Sequence, residues 1–193
     1  HKKNRYNIRL AGRKGVRVRR AGPEELSSWY GLYGETAARD RIRIHSLAYY
    51  ARLFELAGAY PEADLRLYLA EHDHELLAGV IVVHYGGGAT YLYGASSNRK
   101  RNLMPNYALQ WHAIVQARDA GCSWYDLFGI PPADDPAHPM HGLYRFKTGF
   151  GGRTVRRLGT WDVAVKPLRA NAFRLAERAR DVYFHRMRRT HAG

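Results

Sequence analysis

The chain predicts an α+β (α/β) fold, a mixed and mostly antiparallel central sheet flanked by helices, and three stretches carry that reading. Residues 65–69 alternate and residues 76–85 run apolar on either side of a polar turn, the pattern of a hairpin. Residues 91–95 are strand-like and enter a polar, cationic loop, then a helical stretch from Pro105 and a second strand over 124–128. Residues 16–19 read as a strand followed by two helical stretches.

Taken in order, residues 2–15 set Ile8, Leu10 and Ala11 among Lys2, Lys3, Arg5, Arg9, Arg13 and Lys14, with Gly15 as a stop, so a basic helix is expected. Val16-Arg17-Val18-Arg19 alternates as a strand. Gly22-Pro23 turns into a helix with Glu24 and Glu25 in its first turn, and Leu26, Trp29, Tyr30 and Tyr33 carry it towards Arg39. Ser46 is the N-cap candidate of a second helix through Tyr49, Tyr50, Leu53, Phe54 and Leu56, ending near Gly58. His72 and His74 lie on the polar turn of the hairpin, where a solvated tip competes with a metal role. Gly86-Gly87-Gly88 returns the chain into the next strand; with no GxxxxGK[ST] pattern it is no phosphate loop.

The unit from Tyr91 organises the rest. Tyr91-Leu92-Tyr93 runs through Gly94 into Ser96, Ser97 and Asn98 and the basic run Arg99-Lys100-Arg101. Pro105 starts a helix on which Leu109, Ala113, Ile114 and Ala117 recur at helical spacing until Gly121. A strand over 124–128 follows. Backbone N–H groups and basic side chains at such a helix entrance can receive an anion or a reacting acyl group. The strands at 91–95 and 124–128 are expected as neighbours on either side of the helix from Pro105. A mobile loop with Asp134, Asp135, His138 and His141 leads to the FKTGFGG segment, a last hairpin is expected over 154–163 around Gly159, and an amphipathic helix follows from Pro167. That helix has Leu168, Phe173, Leu175, Val182, Phe184 and Met187 on one side and Arg174, Arg178, Arg186, Arg188 and Arg189 on the other.

At 193 residues with 46% hydrophobic content the chain holds one well-packed domain, and no apolar run approaches the ~20 residues that span a bilayer. The single cysteine, Cys122, excludes an internal disulfide framework and a cysteine-based zinc site, and is read as a structural thiol. A net charge of +14 points to a polyanion: tRNA, an anionic membrane leaflet or a diphosphate-bearing substrate.

Three segments, GASSNRKRNLMPNYALQWHAI at 94–114, WYDLFGIPP at 124–132 and GLYRFKTGFGG at 142–152, agree in order and spacing with the second domain of the FemABX family. These are non-ribosomal peptidyltransferases that use aminoacyl-tRNA to extend peptidoglycan precursors, and the resemblance covers about residues 6–163. It implies a GNAT-like acyltransferase fold over residues 16–164, with 1–15 as a basic helix at the junction to a missing N-terminal GNAT-like domain and 165–193 as the C-terminal helix. The chain is accordingly expected to be a piece of a longer protein. The implied activity is aminoacyl transfer to the side-chain amine of lipid II or UDP-MurNAc-pentapeptide. No metal and no cofactor are expected, aminoacyl-tRNA being the co-substrate, and the expected location is cytoplasmic, peripheral at the anionic inner membrane face.

By resemblance, the lysine of the family's FK-x-GFG segment falls on Lys147, preceded by Phe146, where it would stabilise an oxyanion or neutralise a tRNA phosphate. An Arg-x-x-x-Tyr pair that holds the precursor diphosphate would place its tyrosine on Tyr49 and its arginine on His45, a departure that leaves Arg43 or Arg52 as substitutes. Tyr91 and Tyr93 are further acceptor-binding candidates. Ser97, Asn98, Arg99, Lys100 and Arg101 are candidates for the 3′ end of tRNA, with Arg178 and Arg186 for its backbone. Asp126 is the one acid of the central segment able to accept a proton; its alternative role is to orient backbone at the strand end. The missing Q-x-x-G-x-G/A loop argues against an ordinary acetyl-CoA user. Two rivals stand beside this reading: a basic binding module without chemistry, and an acyltransferase of the same fold with another donor.

Overall fold

The computed structural model describes residues 1–159 and 163–190, with side chains described up to residue 180. The chain divides into two compact units, His1–Arg153 and Thr154–Gly193.

The first unit holds a five-stranded sheet in the order β1 (Arg17–Ala21), β2 (Asp64–His72), β3 (Glu75–Tyr85), β4 (Gly88–Ser96), β5 (Trp124–Asp126). β1 to β4 pair antiparallel, and β5 runs parallel to β4. Both hairpins close with two residues at positive φ, Asp73 and His74 at 51° and 61°, Gly86 and Gly87 at 58° and 75°, which matches the right-handed twist of the strands they join.

Helices cover both faces. On one, α4 (Pro105–Asp119) seats Leu109, Ala113 and Ala117 against Tyr68, Ala70, Ala78, Val80, Val82 and Ala89 of the sheet. α1 (Lys2–Arg13) packs on α4 and adds Ala11 to that core. On the other, α2 (Leu26–Asp40) and α3 (Leu47–Ala59) bury Trp29, Leu32, Tyr33 and Tyr50 against Leu67, Leu69, Ile81 and Ala95.

One irregularity decides how β4 presents its side chains. Ile81 pairs with Tyr93 and Val82 with Tyr91, so Leu92 has no partner and forms a bulge. Tyr91 therefore joins the α4-side core, and Tyr93 the α2/α3-side core.

The structure corrects several expectations. The last strand stops at Asp126 rather than 128, because the Asp126 carboxylate accepts the Phe128 N–H at 2.7 Å and Phe128 adopts φ 63°. It pairs with Gly88, Ala89 and Thr90, so the strands are neighbours but part before Tyr91. The expected loop ends at Met140, since His141–Thr148 forms α5 and Lys147 sits in its last turn. The hairpin around Gly159 does not form in the described residues 154–159, which have no regular structure, and the rest of that expectation includes residues outside the description. In the second unit, α6 (Pro167–Thr190) is a helix as expected; Arg178 is exposed on it, and the side chain of Arg186 lies outside the described residues. Cys122 is half-buried with Sγ 3.5 Å from Nδ1 of the buried His84. Among the described residues no helix is long and apolar enough to cross a membrane.

Candidate active site

Where β4 and β5 part, α5 delivers a cation. Lys147 is only 5% exposed, and its Nζ donates to the Gly129 carbonyl at 2.8 Å while standing 5.0 Å from the centre of the Tyr91 ring. Burial lowers its pKa to about 8, partly opposed by the charge of Asp126. Burial pushes the Tyr91 hydroxyl up to about 12, so it stays neutral. The Tyr91 hydroxyl lies over Gly94, where any Cβ would overlap it. Asp126 is half-buried and caps the Phe128 N–H, the backbone role weighed for it above, while its charge reaches Lys147.

Lys147 is held from behind. Phe146 packs edge-on against Tyr107 and Phe150, with ring centroids 5.1 and 5.2 Å away. The buried Asn4 of α1 donates from Nδ2 to the Phe146 carbonyl at 3.3 Å, and its carboxamide fills the space that a side chain at Gly149 would need.

The remaining candidates form two further groups. On the opposite sheet face, His45 stacks on Tyr49 at 4.1 Å, and the Tyr49 and Tyr93 hydroxyls are 3.5 Å apart. Desolvation and the Tyr49 neighbour raise the Tyr93 pKa. Tyr30 donates to the His45 carbonyl, which fixes the backbone entering α3. The group is part of a tyrosine cluster with Tyr33 and Tyr50, and Tyr49 is its exposed member at 38%.

The third group closes the end of β4. Ser97 donates to Glu35 at 2.9 Å; Arg99 and Lys100 both reach Glu75, each at 2.8 Å, and the Lys100 contact leads the lowering of the Glu75 pKa. Arg39 of α2 donates to the Ser96 carbonyl and to Asn98 Oδ1, and Thr36 bonds both backbone groups of Ser96. Arg101 is exposed on a short 3₁₀ turn. Two of the three loop cations are thus tied to the end of the β2–β3 hairpin.

Sequence reasoning missed Asn4, Thr36, Arg39, Glu35 and Glu75. Each acts across at least 24 residues of chain, and none stands in a motif; only the polar Asn4 on the helix face that carries Ala11 was a visible signal.

The FemAB family model matches residues 1–76 and 63–178. A lipid II:glycine glycyltransferase of Staphylococcus saprophyticus is 23% identical over 222 residues, which is 83% of this chain and 53% of the relative. One from Staphylococcus aureus is 33% identical over 100 residues, 51% of this chain and 24% of the relative. The chain thus spans about half the length of the first of these curated relatives. Among solved structures, that of FemX superposes with a TM-score of 0.69 at 21% identity, covering 76% of this chain and 52% of that one. A possible acetyltransferase from Clostridium difficile gives 0.55 at 8% identity over 77% of this chain and 97% of its own. These likenesses establish the GNAT-like fold, and with the family match extending over most of its length, this chain belongs to the FemAB family.

Proposed function

We propose that the chain carries the site of an aminoacyltransferase that moves an amino acid from aminoacyl-tRNA to the side-chain amine of a peptidoglycan precursor, lipid II or UDP-MurNAc-pentapeptide. It works on the cytoplasmic side, peripherally at the inner membrane face. The observation that carries the reading is the buried Lys147 ammonium where β4 and β5 part, over a neutral tyrosine ring. The glycyltransferase relatives support the substrate class.

In the reaction the precursor's amine nitrogen attacks the ester carbonyl carbon. A C–N bond forms, the carbonyl oxygen gains negative charge, and collapse breaks the C–O bond to the tRNA ribose, whose hydroxyl leaves with a proton originating on the amine. One Lys147 hydrogen is used by the Gly129 carbonyl, which leaves two donors for the developing oxyanion. Exclusion of water strengthens that interaction. A pKa of about 8 keeps Lys147 cationic at neutral pH while bringing its acidity near the working range for passing a proton to the leaving oxygen. Asp126 is the carboxylate beside it, with lone pairs left for the proton of the incoming amine. Because the ester is already activated, positioning and charge stabilisation supply much of the rate.

The test is transfer from charged tRNA to lipid II or UDP-MurNAc-pentapeptide. Lys147→Met keeps the stem and loses the charge, and transfer is expected to fall roughly 10²–10³-fold with the fold intact by circular dichroism. Transfer at the parent's rate removes the catalytic role, and transfer from acetyl-CoA instead of charged tRNA removes the donor.

A further inference from the structure

Some cations of the first unit are held in ion pairs and others are not. Arg19, Arg20, Arg39, Arg52, Arg66, Arg99, Lys100 and Arg118 all have a carboxylate partner. The five cations of α1, Lys2, Lys3, Arg5, Arg9 and Arg13, have no ion-pair partner among the described residues, and no acid precedes Glu24. A solvated helix face ordinarily mixes signs at i,i+4 spacing. α1 does the opposite: Arg5, Arg9 and Arg13 form an i,i+4 ladder, extended by Lys2 at i−3, on the exposed side away from the buried Asn4, Asn7 and Ala11. Such a ladder repels itself, and an anion laid along it removes the repulsion.

Three features select the anion. The ladder repeats every ~6 Å, a spacing suited to successive phosphates of one strand. Tyr6 is the one large apolar residue on the outer face, 57% exposed, with the Arg13 guanidinium 6.0 Å over its ring, a flat surface on which a base can stack. An interfacial membrane helix needs an apolar face turned to the lipid, whereas Ile8, Leu10 and Ala11 here are half-buried or buried in the domain. Through Asn4 and the Phe146 carbonyl, the same helix braces the backbone that carries Lys147, so the ladder lies about one helix diameter, roughly 10 Å, from it.

We infer that the Arg5, Arg9, Arg13 ladder of α1 is a rail for the phosphodiester backbone of RNA, which holds the donor beside the site; this rests on the aminoacyl-tRNA reading above. The probe is a fluorescein-labelled RNA hairpin with a single-stranded 3′ overhang, titrated with the chain at several salt concentrations. Arg5→Gln, Arg9→Gln and Arg13→Gln together are expected to weaken binding on the order of 10²-fold at 0.1 M salt and to reduce the log–log salt slope by about 2–3. A control with Arg19→Gln, Arg20→Gln and Arg118→Gln loses the same charge from paired positions and is expected to change affinity less than about threefold. Circular dichroism confirms that both fold. The inference is overturned if the ladder variant binds like the parent, if the control loses as much, if the parent does not bind the hairpin, or if only binding to phosphatidylglycerol vesicles depends on the ladder. A full-length protein that binds RNA through the ladder yet transfers nothing from charged tRNA leaves the rail standing and removes the enzymatic reading.

Discussion

The ammonium of Lys147 stands 5.0 Å from the centre of the Tyr91 ring and is hydrogen-bonded to one backbone carbonyl, so the fold holds a cation where water solvates it poorly. Its pKa falls from 10.5 to about 8, so between those values the unfolded chain binds more protons than the folded one. Stability contributed through this group therefore rises with pH from about 8 to 10.5, and below pH 8 the lysine costs up to roughly 3 kcal/mol. Loss of its hydrogen bond returns about 1 kcal/mol of that. Lys147→Met is expected to be about 1–2 kcal/mol more stable than the parent at pH 7, with the gap closing by pH 10. Urea unfolding at the two pH values measures it, and a variant less stable at pH 7 contradicts the burial argument.

Asn4 and Gly149 form a matched pair. The residue at 149 has ordinary helical backbone, and the atoms nearest to an added Cβ in Gly149→Ala are those of the Asn4 carboxamide. We expect Gly149→Ala to cost about 1–3 kcal/mol in the parent and far less in an Asn4→Ala background, a coupling visible in a double-mutant cycle by thermal unfolding. Additive effects would show that the two do not touch.

Gly94 leaves room for the Tyr91 hydroxyl beneath Lys147. Gly94→Ala is expected to displace the ring and lower transfer by at least tenfold, and the added change Tyr91→Phe to restore much of it, because the overlap is chiefly with the hydroxyl. A double variant as impaired as the single one would mean that the hydroxyl itself is required.

Glu75 pairs with both Arg99 and Lys100. If these cations meet tRNA, Glu75→Gln is expected to tighten RNA binding severalfold and steepen its salt dependence, while stability shifts by less than about 1 kcal/mol. Unchanged affinity in an RNA titration would confine the two cations to closing the hairpin end.

Much of the fold was legible because periodicity reports burial: Leu109, Ala113 and Ala117 announce α4, and alternation at 65–69 announces β2. Lys147 was legible through the FK-x-GFG segment of the family resemblance, but its burial was not, since it depends on α5 packing Phe146 against Tyr107. The end of β5 depends on a side chain capping a backbone group two residues on, which strand propensity does not encode. The partners of Arg99 and Lys100 lie about 25 residues earlier in the chain, beyond any local pattern. Tyr91 and Tyr93 read alike as acceptor-binding tyrosines; that they lie on opposite faces depends on the unpaired Leu92, which the sequence does not announce.

That unpaired residue changes the phase of β4 in mid-strand. Ahead of it odd-numbered positions such as Ala89 and Tyr91 look towards α4, and after it odd-numbered positions such as Tyr93 and Ala95 look towards α2 and α3. Deleting Leu92 would remove the bulge yet keep Tyr91 opposite Val82 and Tyr93 opposite Ile81, each on its present face. Because Tyr91 and Tyr93 lie on opposite faces of the sheet, the chemistry under Lys147 and the aromatic surface around Tyr49 can change by substitution independently of each other.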